Sequence, residues 1–160
     1  MIQRPASASF RHVVVAILGL GAVLQTAAWP GVQAVFHTFL VLGLAPEFRS
    51  PLIGALWAAA AGWVLEGSLR MYPHLGGTAL ANMIVCLLAA WTLVQWPPRS
   101  SKPYWARMGA FAVLHILLIR GLVLFAAGAY TWGSGPIWTL LLVPLWASVA
   151  FKFYFPHHRG

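Results

Sequence analysis

The sequence predicts an all-α integral membrane protein, with six transmembrane helices forming one bundle over residues 1–160. Three observations predict it. The chain is 61% hydrophobic and 8% charged, where soluble domains carry about 25% charged residues. Its mean hydropathy is +0.79. Its apolar runs are divided by breaks rich in proline and glycine: Trp29-Pro30-Gly31, Ala45-Pro46-Glu47, Tyr72-Pro73, residues 96–103 and residues 130–136. Such dipeptides punctuate helices, and a span needs about 20 mostly apolar residues. Six segments result: 12–29, 32–45, 50–69, 74–95, 105–128 and 136–155.

The first segment follows Arg4 and Arg11, and Thr26-Ala27-Ala28 has the small residues of a signal-peptide cleavage site. The apolar run 13–28 is long, however, and Pro30 sits just past the would-be cut, so a retained helix is expected. The second segment is short and suits a tilted or re-entrant helix, or a tight hairpin with the first. Loop charge decides whether it crosses. With six crossings, Arg4, Arg11, Arg49, Arg99, Lys102, Arg107, Lys152 and Arg159 fall on one side and Arg70 on the other. The positive-inside rule then puts both termini in the cytoplasm. Without the second crossing the basic loops would fall on both sides.

The third segment holds Glu66, which with Glu47 completes the acidic residues of the chain. An ionisable group in hydrocarbon costs several kcal/mol on the lenient scale of about 2.5–3.5 kcal/mol for Asp at a helix centre, and reads as functional by default. Gly54, Ala58, Gly62 and Glu66 recur at spacings of four, on one helical face. Small residues in that register admit a second backbone. This face is therefore expected to be a packing face, first as a helix–helix seam with one anchored polar group and, in the alternative, as a groove for a partner's transmembrane helix.

The fourth segment carries Asn82 about two turns in, and Cys86, the only cysteine. A lone cysteine excludes an intramolecular disulfide and a zinc site of paired cysteines, and this one is expected to be a small core residue. The fifth segment carries His115 near the midplane, and Arg120. Counted from the inner ends of their helices, Glu66 and Arg120 both lie about 22–24 Å up. A charge-assisted pair between them is expected, with snorkelling of Arg120 the alternative. Gln25, His37, Glu66, Asn82 and Arg120 thus share the outward half and form a candidate polar cluster. Each could equally bond a neighbouring helix, for an average of about 0.6 kcal/mol. The sixth segment leads to His157, His158 and Arg159, a tail suited to solvent or headgroups. Trp29, Tyr72, Tyr130 and Trp132 mark the outer interface, and Trp96, Tyr104, Trp105 and Tyr154 the inner one.

No catalytic constellation stands out. The chain has no nucleophile elbow, no zinc-protease motif and no P-loop, and two acids cannot build a two-metal site. His37 and His115 differ in depth, which disfavours a bis-histidine haem. No cofactor or metal is expected, and the chain is read as a non-enzyme. The net charge of +8 is scattered through short loops, not gathered into a stripe, which argues against nucleic acid.

Leu24-Gln25 with Trp29-Pro30, Gly54 and Gly62 leading to Leu65-Glu66, and Leu75-Gly76-Gly77 with Ala79-Leu80 form a pattern spread along the first half of the chain. Across residues 11–90 it resembles the family of the rod shape-determining protein MreD. Where Glu66 stands that family usually has aspartate, and the gap to Leu75-Gly76 is longer here. The resemblance implies a fold related to the substrate-binding subunits of energy-coupling-factor transporters. It also implies a non-catalytic inner-membrane scaffold of the cell-elongation, peptidoglycan-synthesising machinery. Such a scaffold binds MreC and, through it, MreB and the RodA–transpeptidase synthase; a homo-oligomer stays open. The Gly54–Ala58–Gly62 face or the Gly19–Gly21 region is the expected partner-packing surface. The alternative is a vitamin- or metal-binding transporter subunit using the polar cluster. A third reading, an accessory subunit of a redox or photosynthetic complex, rests only on nine tryptophans and the helical histidines.

Overall fold

The computed structural model describes residues 13, 14, 17, 21, 41–42, 50–69, 76–127 and 135–154. Four helices fill most of this: α1 (Pro51–Leu69), α2 (Gly77–Gln95), α3 (Ser101–Ala127) and α4 (Gly135–Tyr154). No strand occurs among the described residues, so the described fold is all-α. Most of the segments 12–29 and 32–45 lies outside the described residues. Of these two, Val13, Val14, Ile17 and Gly21 are helical, and Val41 and Leu42 are buried.

Local chemistry explains the helix ends. Ser50-Pro51 places a good N-cap residue before a proline whose missing N–H costs nothing in a first turn, and the Ser50 carbonyl accepts from the Gly54 N–H at 3.2 Å. Gly76 precedes α2 with φ +92°, a left-handed conformation that glycine adopts without a Cβ penalty. At the far end of α2 the Trp96 N–H returns to the Thr92 carbonyl at 2.9 Å, and the Arg107 guanidinium donates to the Trp96 carbonyl. Helix α3 begins at Ser101, four residues ahead of the expected Trp105. Pro103 thus sits within the first turn, where no intrahelical N–H is needed, instead of marking the break. Inside α4, Pro144 removes a backbone donor, and Ser148 Oγ donates to the Pro144 carbonyl at 2.7 Å.

Packing follows chain order: α1 on α2, α2 on α3, α3 on α4. Between α3 and α4, the Tyr104 and Phe151 rings meet tilted at 53°, with centroids 5.7 Å apart, beside buried Met108, Ala112, Ala147 and Ala150. The interior is made of small side chains. Nine of the seventeen buried apolar residues among those described are alanine, and Glu66, Asn82 and His115 are buried with them. Bulk lies outside: Leu52 is 64% exposed, Val94 72% and Phe125 91%. A water-soluble core would place the large apolar groups inside. Small interiors with large apolar exteriors suit helices that associate in lipid by close backbone approach. Two described helices, Gly77–Gln95 and Ser101–Leu122, are long and apolar enough to cross a membrane, and Pro51–Val64 and Leu140–Phe151 are shorter apolar stretches.

Candidate functional site

The polar residues buried among α1, α2 and α3 form two devices. The first begins with Glu66, 2% exposed near the end of α1. Its Oε2 accepts from the Gly76 N–H and its Oε1 from the Thr78 N–H, each at 2.5 Å. The first amides of a helix have no partner within the helix. Gly76 offers no side chain to cap them, so Glu66 supplies the cap from the preceding helix. A carboxylate at that end also meets the positive pole of the helix dipole.

The second device lies further into the bundle. Asn82 Nδ2 donates to the Ala58 carbonyl at 3.0 Å, tying α2 to α1. Asn82 Oδ1 lies 2.7 Å from His115 Nε2, tying α2 to α3. The Ala58 carbonyl can only accept, so it fixes which end of the Asn82 amide faces it. The other end, Oδ1, can only accept as well, so His115 Nε2 carries the proton. One asparagine thereby links three helices. All three residues are buried, Asn82 and Ala58 at 0% exposure and His115 at 4%.

Gly62 makes this proximity possible. A Cβ at position 62 would stand 2.6 Å from the Ala79 Cα and N and 2.9 Å from Asn82 Nδ2. The backbones of α1 and α2 therefore touch here. Gly54 and Ala58 are buried along the same α1.

Two sequence expectations need correction. The Gly54–Ala58–Gly62 face is not open to another protein's helix, because α2 of the same chain covers it: Gly62 meets Ala79, and Ala58 receives Asn82. The register that admits a backbone was read correctly, but the backbone is the chain's own. The carboxylate of Glu66 is held by the main-chain amides of Gly76 and Thr78, not by Arg120. Two amides at a helix start satisfy a carboxylate without burying a second charge. Arg120 is partly buried on α3 and has other interactions. Of the remaining cluster members, Asn82 pairs with His115, which stood outside the expected set, and Gln25 and His37 lie outside the described residues. Cys86 is a buried free thiol. Among the described residues no three His, Cys, Asp or Glu side chains gather to hold a metal ion.

Nothing similar accompanies this geometry: no protein-family model, no curated protein and no solved structure matches the chain.

Proposed function

We propose that this chain is a non-catalytic scaffold of the bacterial cell-elongation machinery, multi-pass in the inner membrane with both termini cytoplasmic. In this reading it holds a single-pass scaffold of the MreC kind and, through it, MreB and the RodA–transpeptidase synthase. The observation that carries the reading is the use made of the polar interior. Glu66, Asn82 and His115 are engaged in joining helix to helix, which builds a stiff body and leaves apolar side chains for outside contacts. The sequence pattern over residues 11–90 adds the family resemblance. With the small-residue face of α1 covered by α2, a partner helix would meet the outer flank of the bundle. Val113, Leu117 and Leu124 project from α3 on such a flank, exposed by 43%, 62% and 52%.

Affinity purification of the tagged chain from bacterial membranes in mild detergent tests this. The expected co-eluting protein has one transmembrane helix and a large domain outside the cytoplasm. A preparation that brings down no such protein but holds a small metabolite by mass spectrometry would replace the scaffold with a transporter binding subunit.

A further inference from the structure

We infer that copies of this chain associate in the bilayer through α1 of one and α4 of the next, where the Trp63 indole N–H donates to the Leu140 carbonyl. Each group lacks its complement within its own chain. Pro144 lies inside α4 and has no N–H, so the bond that residue 144 of a helix would return to the Leu140 carbonyl is not made. Leu140 and Pro144 are both exposed, so this carbonyl opens on the outer face of the bundle. Trp63 is 51% exposed on α1. Its ring leans toward the start of α2, 3.6 Å from where a Cβ of Gly76 would stand. No acceptor among the described residues takes its N–H. An indole can only donate and a carbonyl can only accept, so the two are complementary.

Depth brings them together. With spans that alternate in direction, Trp63 stands twelve residues above the inner end of α1 at Pro51, and Leu140 stands fourteen above the inner end of α4 at Tyr154. At 1.5 Å per residue these heights are about 18 Å and about 21 Å, inside a hydrocarbon layer about 30 Å thick. The indole reaches toward the outer end and covers the difference. No water in that layer replaces a missing partner, so a second protein surface must supply it. Other described donors do not compete. Trp91, Trp96 and Trp105 are exposed near the inner ends of their helices, at headgroup level. Thr92 and Ser148 already donate to carbonyls of their own helices, and Asn82 is buried and bonded to Ala58. The flanks also suit helix packing. Ile137, Leu141 and Pro144 are exposed at spacings of four and three on α4, and Leu56 and Trp63 at a spacing of seven on α1, the register of helices that cross at a shallow angle. Two different faces meet, so the contact runs head to tail and can pass from copy to copy.

This contact rests on the membrane residence proposed above, and not on the scaffold role. Full chains carrying a donor or an acceptor fluorophore on an amino-terminal tag are reconstituted together in phosphatidylethanolamine–phosphatidylglycerol vesicles. Energy transfer is then followed as lipid is added. Wild-type chains should associate. Trp63→Phe keeps a ring and removes the N–H. Pro144→Ala lets the helix bond to the Leu140 carbonyl form. Each should weaken association by about threefold, the worth of one hydrogen bond between membrane helices. Both remove the same bond, so the double variant should lose no more than either single one. Trp91→Phe should associate like the wild type. Pro144→Ala should also leave the thermal unfolding midpoint unchanged or raise it, which separates lost association from lost fold. Wild-type chains that stay apart, a single variant that associates as well as wild type, an equal loss in Trp91→Phe, or single losses that multiply to about ninefold in the double variant would each overturn the contact and leave membrane residence intact. Recovery of the chain in the soluble fraction would overturn both.

Discussion

Replacing Gly62 by alanine adds one methyl group at the tightest point of the α1–α2 seam. That methyl would lie 2.6 Å from the Cα and N of Ala79, where ordinary contact begins at 3.4 Å. The obstacle is backbone, so no rotamer change relieves it. Helix α2 must retreat by about 0.8 Å to restore contact distance, against the close packing of the interior. The retreat lengthens the Asn82–Ala58 hydrogen bond from 3.0 Å past the limit of a useful bond. Overpacking of this kind costs about 1–3 kcal/mol, and the strained hydrogen bond adds about 0.6 kcal/mol. In a chain of this length that lowers the unfolding midpoint by about 5 °C or more. Thermal unfolding of the purified protein in detergent, followed by tryptophan fluorescence, measures it. Gly67→Ala and Gly121→Ala are the controls, because a Cβ at either position meets nothing within 4 Å. Alanine there should be neutral, or stabilising by about 0.5–1 kcal/mol through helix propensity. A Gly62→Ala protein that unfolds at the wild-type temperature would refute the backbone contact between α1 and α2.

Two further outcomes follow from the polar devices. Glu66→Gln keeps the shape but turns one acceptor into a donor facing an amide N–H, and it removes the negative charge from the start of α2. It should cost about 1.5–3 kcal/mol in the same unfolding assay, with Glu66→Asp milder because the charge survives; a wild-type midpoint for the glutamine variant would contradict the capping role. In nitrogen-15 NMR of the labelled protein at neutral pH, with the signal assigned by its loss in His115→Gln, Nε2 of His115 should carry a directly bonded proton; an unprotonated Nε2 would show that the Asn82 amide is turned the other way.

Much of the helical layout was legible in the chain. The expected segment 50–69 corresponds to Pro51–Leu69, 74–95 to Gly77–Gln95 and 136–155 to Gly135–Tyr154. Apolar length and proline punctuation carry that information. The Gly54–Ala58–Gly62 register likewise announced a close helix contact, since small side chains at spacings of four have few other uses in lipid. What it could not announce was whose helix would arrive. The partners of the polar residues were read less well, for two separate reasons. Glu66 was matched only against cationic side chains, yet ten residues on the chain doubles back and presents free amides at a helix start. For Asn82 and His115 the arithmetic of depth is sufficient. Eight residues down from the outer end and ten up from the inner end bring both to the middle of a layer about 30 Å thick, about 15–18 Å from its inner face.

The cap that α1 lends to α2 bears on how the chain is built. On its own in hydrocarbon, Pro51–Leu69 would present a bare carboxylate and Gly77–Gln95 would present unpaired amides. Each is the remedy for the other's defect, so neither is a satisfactory passenger by itself. The translocation machinery should therefore hold the earlier span until the later one has been synthesised, and release the two into the bilayer as a joined hairpin.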